Sequence, residues 1–296
     1  MASKKKLVVC IFSLMVVLAL IVGFTVLVDP FGFFGKKEPP LDDNSIRIPI
    51  LMYHHFADSG TPGTVISAEM FERQIRALSE AGFSAVSFYE LRSFVLDGTP
   101  LPERPLIITI DDGYLSVYET AYPILKEYDM KATVFIIGVS HGKSLYKDTD
   151  NPIIPRFGDA EAVEMVESGV ISIQSHSFDM HQHEPFETGP YRRGVLRRDG
   201  ESEPEYIEAF RADFESAAAQ IEVMLGSRPF VYSYPYGLSN DLTDGLLREM
   251  GIDVTLSIVP GLNVVTIGDP ESLFSLKRFN VPGDRSPEEL LRTIDN

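Results

Sequence analysis

Apolar stretches that alternate with helix-like stretches run through most of this chain and restrict the folds open to it. The clearest apolar stretches lie at residues 106–110, 132–137 and 170–175, and each precedes a segment with helical periodicity or capping residues. Buried strands that alternate with helices pair in parallel sheets, with the helices packed on the faces. The pattern therefore predicts an α/β fold built on a parallel sheet, either open or closed.

Helix signals frame this pattern. Ser67 can cap a helix with apolar residues on one face, and Ser286 precedes a proline and two acids that favour another helix start. The longest predicted helix spans residues 205–225. The first predicted strand covers residues 47–54, and a late strand covers residues 276–279.

The N-terminal segment is typical of a membrane anchor. Three lysines at residues 4–6 precede an apolar run at residues 7–28, which as a helix would be about 33 Å long and would cross a bilayer. The lysines should stay in the cytosol, so the remainder should lie outside the cell. A cleaved signal peptide is the alternative. Residues 29–45 are then a proline-containing linker, and residues 46–296 form the extracellular domain.

Charge and cysteine content exclude several classes of function. The formal net charge of −17 argues against a nucleic-acid partner. The only cysteine, Cys10, lies in the apolar run, so disulfides and thiolate chemistry are not available in the outer domain. The chain also lacks a phosphate-binding loop, and we expect a monomer without a nucleotide cofactor.

Two adjacent carboxylates end the apolar run at residues 106–110. Asp111 and Asp112 precede Gly113, which allows a sharp turn as the chain leaves the sheet. The carboxyl ends of parallel strands are where such sheets place their chemistry. Because successive strand residues point to opposite faces, we expect one carboxylate to bind a cation and the other to remain free as a base. A plain turn is the alternative.

Histidines follow the run at residues 170–175. His176 and His181 are five residues apart, which does not suit one helix face, but a loop leaving a strand can fold both toward one point. Together with Asp112 they would form a three-ligand set with one open position, the pattern of a catalytic zinc. Cobalt, nickel and iron accept the same ligands. Histidines with ordinary hydrogen bonds are the alternative.

Three motifs, in order, resemble the signatures of the polysaccharide deacetylase family, whose members remove acetyl groups from glycans. The motifs are Asp111-Asp112-Gly113, His176-Ser177-x-x-x-His181 and Tyr234-Pro235-Tyr236-Gly237. The resemblance covers residues 46–296 and implies a distorted, seven-stranded, TIM-like (β/α) barrel. It implies that Asp111 is the general base and that the backbone N–H of Tyr236 helps to hold the oxyanion. The implied ligands of a divalent metal, zinc foremost, are Asp112, His176 and His181.

The chain departs from the common family pattern in two motifs. The second motif has one extra residue between its histidines, which resembles the branch that deacetylates poly-β-1,6-N-acetylglucosamine. The third motif lacks the arginine that steadies the catalytic aspartate, and Ser233 stands in its place. Arg278 is the candidate substitute and joins Phe178 and Tyr234 in the predicted substrate-binding set, with a surface salt bridge as the alternative for Arg278. The rings of Phe178, Tyr234 and Tyr236 could stack on sugars or could belong to the core. The arginine-containing loop at residues 182–204 could contact the glycan or an anionic wall polymer, and a solvated loop is the alternative.

The general acid must also come from an unusual place. The common pattern uses a histidine near the C-terminus, and this chain has none after His183. Strand alternation alone does not choose between His54 and His55, and His141 and His183 are further candidates. The poly-N-acetylglucosamine branch resembles a circular permutation with its acid on an N-terminal Tyr-His strand, which His54 and the tyrosine before it match. The resemblance therefore assigns the acid to His54.

The resemblance implies a metal-dependent, membrane-anchored hydrolase that releases acetate from an N-acetylglucosamine-type polysaccharide of the cell wall or a biofilm. An O-acetyl esterase and a peptidoglycan deacetylase are alternatives within the same chemistry. A membrane-tethered glycan-binding protein with a relict site is the alternative from another class.

Overall fold

The computed structural model describes residues 41–182, 186–187 and 191–295. Within that range the residues from Asn44 onward form one unit. The predicted anchor at residues 7–28 lies outside the described residues, as does most of the predicted linker. No helix in the described part of the chain is both long enough and apolar enough to cross a membrane.

Strands and helices alternate along the described chain, as the sequence pattern predicts. The strands are β1 (Ser45–Ile48), β2 (Ile50–Tyr53), β3 (His55–Phe56), β4 (Val65–Ile66), β5 (Ser84–Ala85), β6 (Pro105–Asp112), β7 (Ala132–Ile136), β8 (Ile171–Ser175), β9 (Val231–Ser233), β10 (Val254–Leu256), β11 (Asn263–Thr266) and β12 (Phe279–Asn280). The α-helices are α1 (Ala68–Glu80), α2 (Phe88–Asp97), α3 (Tyr122–Glu127), α4 (Asp159–Glu167), α5 (Glu203–Leu225), α6 (Asp241–Glu249) and α7 (Pro287–Ile294).

The main sheet is parallel. Its strands follow the order β10-β9-β8-β7-β6-β2-β12, and β5 pairs with β6 beside this path. The segment that leads into β12 also bonds to β10, because Leu276 pairs with Leu256 and its N–H donates to the Thr255 carbonyl at 2.9 Å. One segment thus bonds to both edges of the sheet. This arrangement confirms the α/β class and agrees with a (β/α) barrel.

The first predicted strand is divided in the structure. Pro49 separates β1 from β2, since proline has no N–H for a ladder. β1 pairs antiparallel with β11, outside the main sheet, and β2 lies between β6 and β12. The division leaves β2 as the strand that carries His54 toward the carboxyl end of the sheet.

Alternation along β6 separates two layers of the core. Ile108 and Ile110 pack in the cluster that contains Phe71 of α1, whereas Ile107 packs with Phe135 and Val254 on the other face. The strand is apolar on both faces because both are covered, which explains its continuous apolar run. Asp111 continues the row that begins at Ile107, and so it enters the site from the sheet's inner face.

Local capping explains where the helices begin. The Ser67 and Ser286 hydroxyls accept N–H groups of α1 and α7, as predicted. The predicted helix around residues 118–128 begins instead with a π turn, Val117–Ala121, and Pro123 falls in the first turn of α3. Proline is tolerated there because its missing N–H would have no helical partner.

Candidate active site

Asp111 is held in the core by an arginine from the last strand region. Arg278 Nη1 donates to Asp111 Oδ1 at 2.7 Å, and both side chains are buried. The same guanidinium donates to the Ser257 carbonyl at 2.9 Å and to Ser233 Oγ at 3.0 Å. Burial opposes ionisation of Asp111, but Arg278, with smaller contributions from the charges of His176 and His54, holds the pKa of Asp111 below its usual value. The result is an ionised carboxylate in one fixed position, as a general base requires.

The position of Arg278 corrects part of the predicted substrate-binding set. Arg278 has no exposed surface, so it supports Asp111 and cannot touch a substrate. Tyr234 is also fully buried, and its hydroxyl donates to Asp244. Phe178 is half-buried against Gly138. An arginine or aromatic residue next to a site motif is as typical of the core beneath a site as of a substrate contact.

Asp112 meets two histidines at the carboxyl ends of β6 and β8. Asp112 Oδ1 lies 3.7 Å from His176 Nε2 and 3.6 Å from His181 Nε2. That oxygen is buried without a hydrogen-bond donor among the described residues. Tetrahedral ligands with the usual zinc bond lengths would stand about 3.3 Å apart, so these atoms are spaced for a small divalent cation. The predicted ligand set therefore converges on one point and fits a metal.

Hydrogen bonding orients one histidine as a ligand, and burial keeps the other neutral. His176 Nδ1 lies 2.7 Å from the Ser233 carbonyl, which can only accept, so Nδ1 carries the proton and Nε2 keeps its lone pair. Burial lowers the pKa of His181 to about 4, against the attraction of Asp112. Nε2 is thus the nitrogen of each ring that faces Asp112, and the low pKa keeps His181 neutral at neutral pH.

Backbone strain is concentrated at this site. Six non-glycine residues have positive φ in the described chain, and three of them are Asp112 (75°), Ser177 (73°) and Tyr236 (57°). Such conformations cost free energy and persist where the surroundings hold them. Strand alternation would direct the Asp112 side chain away from Asp111. The left-handed turn at Asp112 instead brings this side chain into the same site as Asp111.

The two histidines after β2 have different surroundings. The charge of His54 acts on both Asp111 and Asp112, and His54 Nδ1 is buried without a partner among the described residues. His55 Nδ1 instead lies 2.8 Å from Ser116 Oγ. The structure thus places His54 near the carboxylates. His141 bonds to Asp159 on α4, and His183 lies outside the described residues.

A cavity of about 480 Å³ opens over the cluster. Asp112, His181 and Tyr236 contribute to its lining, and the His181 and Tyr236 ring centroids are 4.3 Å apart. Tyr114, Arg156 and Arg193 form other polar walls of the cavity, and the sequence analysis missed the roles of Tyr114 and Arg156. Tyr114 had a sequence signal, since it directly follows the Asp-Asp-Gly motif, and Arg193 belongs to the arginine-containing loop that the sequence offered as a contact for the glycan.

Asp213 on α5 is a second residue that the sequence analysis missed. Its carboxylate accepts the N–H of Phe178 at 2.9 Å and the N–H of Asp179 at 2.6 Å. Both amides belong to the loop between His176 and His181, which contains the extra residue of this chain. Burial raises the pKa of Asp213 to about 6. Asp213 therefore fixes the loop that carries the second histidine.

Comparisons with known proteins agree with this geometry. A family model described as polysaccharide deacetylase matches residues 98–255. The chain is 28% identical over 249 residues to YxkH of Bacillus subtilis (strain 168), covering 84% of this chain and 75% of that protein. It is 24% identical over 265 residues to the poly-β-1,6-N-acetyl-D-glucosamine N-deacetylase of Escherichia coli (strain K12), covering 82% of this chain and 38% of that enzyme.

The solved structure of IcaB from Ammonifex degensii has a TM-score of 0.68 and 25% identity, covering 84% of this chain and 97% of that chain. A de-N-acetylase from Aggregatibacter actinomycetemcomitans has a TM-score of 0.70 at 22% identity, covering 84% of this chain and 100% of that chain, which shows a shared fold.

We predict that Asp213→Asn weakens zinc binding about tenfold to a hundredfold, because the new amide group would face a backbone N–H and loosen the histidine loop. Zinc affinity is measured by competition with a chelator, and circular dichroism checks that the variant folds. Glu208→Gln, at an exposed position on the same helix, is the matched control. Unchanged affinity in a folded Asp213→Asn protein would show that the loop holds its shape without this carboxylate.

Proposed function

The chain belongs to the polysaccharide deacetylase family, and from this premise we propose that it removes N-acetyl groups from an N-acetylglucosamine-type polysaccharide and releases acetate. One observation carries the proposal: three metal-ligand donors of Asp112, His176 and His181 converge beside the ionised Asp111. The E. coli relative, of which this chain spans 38%, is named for poly-β-1,6-N-acetyl-D-glucosamine, and that supports this polymer as the first candidate.

The residues divide the work of amide hydrolysis. A divalent ion held by the three ligands, zinc foremost, would polarise the acetyl carbonyl and make a water molecule more acidic. Asp111 accepts the proton of the attacking water, and Arg278 keeps that carboxylate in place. The Tyr236 N–H supports the carbonyl oxygen as negative charge develops on it. His54 protonates the sugar nitrogen, which leaves poorly as an anion.

Acetate release tests the proposal directly. The full chain is incubated with poly-β-1,6-N-acetylglucosamine, chitin fragments or peptidoglycan strands, before and after chelation. We expect acetate from at least one N-acetylated substrate, loss of release on chelation and recovery with zinc or cobalt. Sugar binding with no acetate from any substrate in the metal-loaded protein would instead indicate the relict glycan-binding protein.

We predict that His54→Ala lowers kcat on the order of 10²–10⁴-fold with metal content unchanged, because it removes the general acid. His55→Ala is the matched control, since His55 contacts Ser116 and should lose far less activity. Acetate release and bound zinc are measured on the same samples. Turnover near that of the wild type in a folded, metal-loaded His54→Ala enzyme would reject the assignment.

We further propose that residues 7–28 anchor the protein in the membrane with the catalytic domain outside the cell. The length and apolarity of the segment support this proposal. The full-length protein should then remain with membranes after high-salt washing, as detected by immunoblotting. Recovery of a soluble mature protein that begins near residue 30 would indicate cleavage.

A further inference from the structure

Two arginines line the catalytic cavity without forming an ion pair. Arg156 and Arg193 contribute to the lining, and within the described ranges neither is paired with an acidic side chain. Asp179, which also lines the cavity, lies 2.9 Å from Lys147, an ammonium that it shares with Glu187 at 2.5 Å. In a chain with a net charge of −17, two arginines outside any ion pair stand out at one cavity, although the charge of Arg156 helps to lower the pKa of Asp112. The two arginines therefore indicate that the cavity itself requires positive charge.

Arg156 is held rigid with unused donors. Its guanidinium carbon lies 3.6 Å from the centroid of the Tyr114 ring, a cation–π contact that fixes the plane of the group. Its Nε and Nη1 atoms are buried, and no described residue accepts from them. A buried charged donor without an acceptor is costly. A ligand with acceptor oxygens would remove that cost.

Arg193 repeats the arrangement beside the second histidine. Its guanidinium carbon lies 5.0 Å from the centroid of the Tyr236 ring, which in turn faces His181. Tyr114 borders Asp112, whose charge adds to burial in raising the pKa of that tyrosine. One arginine–tyrosine pair therefore stands beside Asp112 and the other beside His181, next to the place where the acetyl group must bind.

We propose that Arg156 and Arg193 bind an anionic group, a carboxylate or a phosphate, on the glycan next to the N-acetylglucosamine unit that is deacetylated. The inference rests on the proposed deacetylase function and favours an acidic glycan over the uncharged poly-β-1,6-N-acetylglucosamine, which is the first candidate on similarity to the E. coli relative alone. The charge at the cavity favours an anionic group of the ligand over neutral hydroxyl groups. With a divalent ion bound, that ion and the two arginines together outweigh the carboxylates of Asp112 and Asp179 in the lining, and an anionic substituent relieves the remaining repulsion.

Binding measurements test the arginine site apart from catalysis. Isothermal calorimetry on the chelator-treated full chain compares three probes: chitotetraose, chitotetraose 6-phosphate and peptide-free strands of alternating N-acetylglucosamine and N-acetylmuramic acid. We expect at least one charged probe to bind about tenfold or more tightly than chitotetraose, as for a hydrogen bond to a charged group. The charged probe that binds more tightly than chitotetraose shows whether the site binds phosphate or carboxylate.

Substitutions test whether the two arginines are responsible for the tighter binding of the charged probe. Arg156→Gln should abolish the advantage of the charged probe, and Arg156→Lys should retain part of it. Arg197→Gln is the matched control, because Arg197 is exposed in the same loop as Arg193 and is not part of the cavity lining. If Arg156→Gln does not fold, Arg193→Gln at an exposed position should reduce the advantage in the same direction.

The outcomes separate this inference from the proposed function. Equal affinity for charged and neutral probes, or an advantage that survives both Arg156→Gln and Arg193→Gln, overturns the inference even if acetate is released. Tight, arginine-dependent binding of a charged probe without acetate release from any glycan supports the anion site and refutes the deacetylase proposal.

Discussion

The buried ion pair between Arg278 and Asp111 is the interaction on which the site depends. A buried carboxylate is costly unless a cation and hydrogen bonds compensate it, and the guanidinium does so while its other N–H groups bond to Ser257 and Ser233. Arg278 lies on the segment that bonds to both β10 and β2, so the same segment joins these two strands and positions the base. The pair also neutralises Asp111 within the core, which leaves the adjacent Asp112 as the carboxylate available to a cation.

The division between the two aspartates follows from backbone geometry. Asp111 continues the inner row of β6, whereas Asp112 turns into the left-handed region with φ of 75° and reaches His176 and His181. Two neighbouring residues of one strand thereby serve one site from two directions. Two loops complete the site. Asp213 holds the loop between the two histidines, and Tyr236 adopts a positive φ in the loop beneath the cavity.

Local sequence patterns predicted the α/β class, the parallel sheet and the meeting of Asp112 with His176 and His181. Apolar periodicity and the order of the motifs can be read from residues that are close together in the sequence. Contacts between distant segments were harder to predict. Nothing near Asp213 or Arg156 in the sequence marks them, since their roles arise only when α5 and the loop after β7 fold over the site. Arg278 was recognised as a candidate substitute for the missing arginine, but only the packing shows that it lies beneath Asp111 and away from any substrate.

Metal content in two aspartate variants tests the central claim most directly. Asp111→Asn and Asp112→Asn are purified in folded form, loaded with zinc and analysed by elemental mass spectrometry beside acetate release. The account predicts that Asp111→Asn keeps its ion and loses activity, while Asp112→Asn loses the ion. Retention of the ion by Asp112→Asn, or its loss from folded Asp111→Asn, would contradict the division of roles that the Arg278 pair imposes.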